Sequence, residues 1–189
     1  MPRDSANDSS TLQRRGQCRL SAPPAPGSKA RTQRLLELVE SMGPDAYRQG
    51  LISLNDYGER LALSALGQIP DGEYTFSDVM DDDGLGNNDI SIQVTLKVSH
   101  GKVEVDFAGT APQVHGNINC PLSVTAAGVF YAFRCLMPEQ TPACAGTFRP
   151  VRLDAPEGCL LNALRPAAVA AGNVETSTRV VDVVLGALA

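Results

Sequence analysis

Two short polar segments carry the side chains best suited to chemistry. Asp106-Phe107-Ala108-Gly109-Thr110 runs from an alternating apolar stretch into a glycine loop, and Asn117 and Asn119 follow it. Ala171-Gly172-Asn173-Val174-Glu175-Thr176-Ser177 sets small residues, an amide and hydroxyls ahead of a helical pattern, where free backbone N–H groups favour an anion. Turn formation and helix capping account for both segments, and a binding site is the alternative reading. A third cluster, Asp81-Asp82-Asp83-Gly84, opens like a cation loop. Leu85 and Ile92 then occupy the fifth and twelfth positions, where a calcium loop needs oxygen ligands, so an acidic turn is the simpler reading. His100 and His115 are the two histidines, which leaves a histidine-rich metal cage or a hydrolytic triad poorly supported. No GxxxxGKS or GxxxxGKT loop and no complete GxGxxG fingerprint is present to cradle phosphate.

The chain that must position these groups has 189 residues, a formal net charge of −5 and 43% hydrophobic residues. A folded chain of that length removes about 70% of its unfolded surface from water. The acidic balance argues against a nucleic-acid partner or an anionic membrane surface. No run of apolar residues is long enough to span a bilayer. Five cysteines (Cys18, Cys120, Cys135, Cys144 and Cys159) form no CxxC pair, and no apolar signal-peptide core precedes them. That usage fits a reducing, cytoplasmic compartment, with the thiols packed as small apolar side chains.

Charge divides the chain into zones. Residues 1–30 hold five basic and two acidic groups in a Ser/Pro/Arg-rich stretch without apolar periodicity, which reads as a disordered leader. Residues 31–106 carry 6 basic and 14 acidic groups, and residues 107–189 carry 5 of each. No charged residue lies between 107 and 133, a stretch marked by Pro112, Asn117, Asn119 and Pro121. Such a segment needs burial, which points to a piece of a larger body.

The elements follow from periodicity. Leu35, Leu36, Leu38 and Val39 give a short helix face that stops near Gly43-Pro44; Tyr47, Leu51, Leu54, Leu61 and Leu66 predict a second amphipathic helix up to Gly67. Pro70-Asp71-Gly72 is a turn, and Tyr74 and Phe76 open a strand that runs to Val79. Ile90, Ile92, Val94, Leu96 and Val98 alternate with polar residues and return through Ser99-His100-Gly101-Lys102 to Val103, Val105 and Phe107, an antiparallel hairpin with His100 solvated in its turn. Residues 121–136 read as a buried helix with Pro121 in its first turn, and Phe148–Leu153 as a short strand. Residues 160–171 are ambiguous. A last helix over Val174–Leu188 carries Glu175 where the helix dipole favours an acid. It reaches the last residue still apolar, so the end is expected to be a cut within the fold.

VDFAGTAPQVHGNINCPLSVTAAGVFYAFRCLM, followed by GTFRPVRLDAPEGCLLNALRPAAVAAGNVETSTRVVDVVLGALA, resembles the hydantoinase B/oxoprolinase family, as does the earlier run IPDGEYTFSDVMDDDG. The spacing of DFAGT, NINCPL, RPVR, APEG and GNVETS over residues 31–189 carries the likeness. It implies an α+β fold of mixed helices with an antiparallel hairpin, forming a partial domain of a B-type subunit. It also implies an enzyme that opens a cyclic amide of the 5-oxoproline or hydantoin kind. In that family a partner A-type module, fused or separate, uses ATP and Mg to phosphorylate the amide oxygen, and the B-type module supports attack on the activated carbon.

The expected catalytic positions are Asn173, Glu175, Thr176 and Arg179, with Asp106, Thr110 and Asn119 as substrate-binding residues. An intrahelical Glu175–Arg179 ion pair is the competing account of those two charges. Cys120 and His115 flank the Asn-rich loop and form a conceivable pair that no family pattern supports. The family's NDP-type segment and HH-containing HADVGG-like stretch, where related carboxylases hold a metal, have no counterpart in this sequence. The chain is therefore expected to hold no metal or nucleotide itself and to lack turnover alone, with a divalent metal belonging to a longer parent. A non-catalytic assembly piece that binds an A-type partner is the alternative, and a component of a ketone carboxylase is a third.

Overall fold

The computed structural model describes residues 26–189, and most of the leader expected over residues 1–30 lies outside that range. The described residues fall into two units divided after Arg48. The first holds helix α1 (Pro26–Met42), so residues 26–30 are helical, and the start of α2 (Pro44–Leu66). Gly43 separates the two helices, and its N–H donates to the Val39 carbonyl at 2.8 Å. Both helices run where the periodicity placed them, and Gly50 and Gly58 do not interrupt α2.

The second unit is built on one sheet. Its strands are β1 (Gly72–Asp82), β2 (Asn88–Ser99), β3 (Lys102–Asp106) and β4 (Val151–Asp154), in spatial order β1-β2-β3-β4. The first three are antiparallel neighbours, and β4 lies parallel to β3. Between β3 and β4 the chain passes through α3 (Leu122–Cys135), because a parallel partner can be reached only by a crossover. Helix α4 (Glu175–Ala187) closes the unit.

The β2–β3 turn shows the local chemistry. Ser99 pairs with Lys102, and the two residues between them, His100 and Gly101, have φ of 52° and 75°. Positive φ at both central positions gives a turn whose twist matches the flanking strands. His100 is solvated there, as its turn position predicts.

Alternation on β2 sorts its faces. Ile90, Ile92, Val94, Leu96 and Val98 are buried, with Val103 and Val105 beside them on β3. Val129, Ala132 and Phe133 of α3 and Val180, Val183 and Val184 of α4 complete that core. Each fully buried aliphatic side chain contributes about 1.5–3 kcal/mol. The opposite face carries spaced charges, among them Glu73 with Lys97 and Glu104 with Arg152. A mixed sheet, antiparallel but for β4, with helices on its apolar face is an α+β arrangement, as the sequence predicts.

Four local expectations are corrected. Phe148 lies in a short 3-10 turn (Ala145–Phe148) stacked on Phe130, and β4 begins three residues later. Pro121 stands at the cap before α3 rather than in its first turn. That helix is buried on one face only, with Tyr131 62% exposed on the other. Among the described cysteines, Cys120 and Cys159 are core residues, whereas Cys135 is exposed and Cys144 half-buried.

Candidate functional site

The Asn-rich loop and the segment that leads into α4 meet the acidic turn around a cavity of about 390 Å³. Three walls enclose it: residues 80–84 at the end of β1, Asn117 and Ile118 of the Asn-rich loop, and Ala171, Glu175 and Arg179 at the start of α4. Among the described residues Asp81, Asp82, Asp83 and Glu175 line it with Arg179 as the one cation, so that lining is predominantly negative.

Each wall is tied to the next through specific atoms. Arg179 joins α4 to β1: its Nη1 lies 2.8 Å from Asp78 Oδ2 and 3.6 Å from Asp182 Oδ2. The intrahelical Glu175–Arg179 pair is thereby corrected, because the guanidinium turns to the sheet, where Asp78 accepts in a partly desolvated place. Glu175 has no hydrogen-bond or ion-pair partner among the described residues. Thr176 is fully buried, and its hydroxyl donates to the Ile118 carbonyl, joining α4 to the Asn-rich loop. Asn117 closes the same seam, its side-chain oxygen accepting from Ala170 N–H at 2.8 Å and its carbonyl from Ala171 N–H at 2.9 Å.

Gly172 makes that seam possible. A Cβ at this position would stand 2.0 Å from the Asn119 carbonyl oxygen and 2.7 Å from its carbon, so the two backbones are in contact. Asn119 is itself fully buried. Its Oδ1 accepts from Val114 N–H at 2.8 Å, and its Nδ2 reaches the carbonyls of Val114, Gly116 and Ala168 at 2.9 Å. With those atoms engaged, Asn119 shapes the loop from behind. Thr110 behaves alike: its hydroxyl donates to Gln93 O and accepts from Gln93 N–H, both at 3.1 Å, extending the ladder where β3 has ended.

The remaining expected residues lie elsewhere. Asn173 borders an apolar groove of about 330 Å³ between α3 and α4, floored by Ala127, Gly128 and Val181. Asp106 lines a different hollow on the charged face of the sheet, beside Lys97 and Arg152. Of the seven residues expected from sequence, the cavity brings together Glu175 and Arg179 and is buttressed by Thr176 and Asn119. Sequence reasoning missed Asp78, and it singled out Asp83 and Asn117 without counting them among the expected site residues. The DDDG turn and the NIN tripeptide were the available signals for the last two; Asp78 had none.

Asp83 is buried although it sits in a hairpin loop. The Asn87 side-chain amide and the N–H groups of Leu85, Asn87 and Gly116 hold its carboxyl down to about 2, against the opposing effect of burial. Both its oxygens are thus engaged, and Asp82 Oδ1 accepts from Gly84 N–H at 2.7 Å. Among the described residues no three His, Cys, Asp or Glu side chains converge as a metal-ligand set. The carboxylate-lined cavity likewise does not fit a nucleotide triphosphate. Burial pushes the Cys120 thiol up, and His115 is exposed, so the conceivable Cys120–His115 pair has no geometric support. No helix among the described residues is long and apolar enough to cross a membrane.

Comparison with known proteins adds an independent line. A family model described as Hydantoinase B/oxoprolinase matches residues 27–189. The chain is 43% identical over 110 residues to 5-oxoprolinase 1 of Arabidopsis thaliana, covering 58% of this chain and 8% of that protein. It is 34% identical over 168 residues to the B component of a putative D-/L-hydantoinase of Pseudomonas sp. strain NS671, covering 83% of this chain and 28% of that one. Among solved structures, an ATP-dependent caprolactamase from Pseudomonas jessenii superposes with a TM-score of 0.75 at 27% identity, over 82% of this chain and 27% of that chain. Acetone carboxylase in its nucleotide-free form matches at a TM-score of 0.60 and 15% identity, over 74% of this chain and 20% of that one, a likeness of fold alone. The chain thus spans between 8% and 28% of the length of these relatives.

Proposed function

The chain belongs to the hydantoinase B/oxoprolinase family, and on that premise we propose that it contributes part of the cyclic-amide site of an ATP-dependent ring-opening hydrolase. The observation that carries this reading is the agreement between the caprolactamase superposition and the relatives named for 5-oxoproline and hydantoin, three ring amides of different substitution. Acetone carboxylase shares the fold at an identity too low to carry its chemistry to this chain.

An unactivated amide is a poor electrophile because its nitrogen lone pair is delocalised into the carbonyl. ATP and Mg, supplied by an A-type partner module, would convert the amide oxygen into a leaving group. The carboxylate lining of the cavity does not suit that nucleotide's charge, so the contribution assigned to this chain is binding and orientation. Arg179, fixed by Asp78, presents N–H donors to a ring carbonyl oxygen. Glu175, without a partner among the described residues, accepts a ring N–H. Thr176, Asn117 and Asn119 hold the wall that keeps these two at a set separation. The free cysteines among the described residues are in keeping with a cytoplasmic protein. The second reading, an assembly piece that binds the A-type module, is favoured by Tyr131 and Val174, apolar groups each 62% exposed beside the α3–α4 groove.

ATP-coupled opening of 5-oxoproline and of hydantoin, followed by ADP release, tests the proposal. The chain alone is expected to show no turnover. With an A-type module and the rest of a B-type subunit it is expected to turn over, and Arg179→Ala is expected to lower the rate about 100-fold, the usual loss when one oriented donor is removed. Turnover by the chain alone overturns the division of labour. Bicarbonate-dependent ketone consumption without ring opening overturns the substrate class. Full activity of Arg179→Ala leaves the assembly reading in its place.

A further inference from the structure

We propose that Asp83 is a positioning residue of the cavity, latching the β1–β2 loop that supplies Asp81 and Asp82 to the Asn117–Ile118 wall. The latch rests on reading that cavity as the site, although its geometry stands by itself.

Asp83 Oδ1 accepts from Leu85 N–H at 2.9 Å and from Asn87 N–H at 3.1 Å, and Oδ2 accepts from Asn87 Nδ2 at 2.6 Å. With the backbone bond from Asp83 N–H to Asn87 O at 3.1 Å, these contacts close the hairpin loop locally. The remaining contact has no local purpose. Gly116 N–H donates to Asp83 Oδ2 at 3.2 Å across 33 positions of sequence, in a buried place. A Cβ on Gly116 would lie 2.2 Å from the Asp83 carbonyl oxygen and 2.5 Å from its Cβ, so the two segments touch backbone to backbone. Asp81 and Asp82 precede the latch on one side, and Asn117, which follows Gly116, is fastened onward to Ala170 and Ala171. One carboxylate therefore ties the acidic wall to the seam that carries Glu175. Only a carboxylate suits the position: four donors converge on it, and an amide offers a single acceptor oxygen and turns its NH₂ toward N–H groups.

The test is amide hydrogen exchange on the whole chain, combined with steady-state kinetics of the chain assembled with the A-type module and the rest of a B-type subunit. In Asp83→Asn, the Gly116 amide is expected to exchange about tenfold faster or more, while Ile92 and Leu96 in β2 keep their protection. In the assembly, KM for the cyclic amide is expected to rise about tenfold with kcat within about twofold, because a displaced wall weakens binding in ground and transition states alike. Asn87→Ala removes the local side-chain bond and spares the Gly116 contact, so it is expected to keep Gly116 protected even should Asp83→Asn fail to fold. Unchanged Gly116 exchange in Asp83→Asn, loss of Gly116 protection in Asn87→Ala, general loss of β2 protection, or an unaltered KM alongside a loosened Gly116 would each overturn the positioning role. If the parent assembly opens no cyclic amide, the functional reading fails, and the exchange result still decides whether the latch exists.

Discussion

Replacing Gly172 by Ala tests the contact on which the cavity's seam depends. The new Cβ would stand 2.0 Å from the Asn119 carbonyl oxygen, 2.7 Å from the Asn119 carbonyl carbon and 3.0 Å from Ile118 O. Real Cβ atoms essentially never come closer than 3.0 Å to a neighbour, so the Asn119 carbonyl must retreat by at least about 1 Å. That carbonyl belongs to a residue held by four side-chain bonds, and Ile118 O accepts from Thr176, so the retreat cannot be absorbed by one rotamer change. Overpacking of this kind costs about 1–3 kcal/mol. A weakened Thr176 bond adds about 1 kcal/mol. Against this, Ala restricts the unfolded chain and returns about 0.4–1 kcal/mol. The clash wins, leaving a net destabilisation of about 2 kcal/mol. In urea, with a slope of about 2 kcal/mol per M, the midpoint falls by about 1 M at unchanged slope. Gly186→Ala is the matched control. Its Cβ would meet the Phe76 ring at 2.8–3.0 Å, but that ring is 39% exposed and can swing aside. The removed helix-interior glycine also recovers about 0.5–1 kcal/mol. Its midpoint should stay level or rise. A Gly172→Ala midpoint equal to the parent's, or above that of Gly186→Ala, would refute the reasoning.

Other outcomes follow from the same seam and its charges. Thr176→Val keeps the shape but leaves the Ile118 carbonyl without its donor, so a loss of about 1–2 kcal/mol is expected in denaturant unfolding, larger than for Thr176→Ser. The Asp78–Arg179 pair, with both side chains about one-third exposed, should show a coupling of about 1 kcal/mol in a double-mutant cycle at low salt. Raising the salt should shrink that coupling, and a salt-independent value would count against an ionic contact. Because the folded state holds the Asp83 carboxyl near 2, below its unfolded value, its contribution is present above about pH 4 and lost as pH falls toward 2. An acid titration of stability should therefore be shallower in Asp83→Asn than in the parent, and identical slopes would contradict the assignment.

How much of this was legible beforehand depended on the range of the interactions. Helices α1 and α2 and the β2–β3 hairpin were readable because Leu35 to Leu66 and Ile90 to Phe107 carry their period in neighbouring residues. Phe148 misled as a strand residue, because its stacking on Phe130, a tertiary contact, holds it in a 3-10 turn. Glu175 and Arg179 look like an intrahelical pair at four-residue spacing, yet Asp78, about a hundred positions away, takes the guanidinium. Thr110 and Asn119 announce themselves as polar residues in glycine loops, a signature that does not distinguish a ligand contact from a backbone clamp.

By itself, the sequence determined the class of the fold, the strand and helix that flank each polar segment, and the family, since all of these reside in local period and motif spacing. The tertiary structure decided which carboxylates and which guanidinium share a cavity and which polar atoms are consumed in holding loops. It also decided that Gly172 and Gly116 had to be glycine. Those facts depend on distances of 2–3 Å between segments tens of residues apart, and such distances exist only once the core has packed.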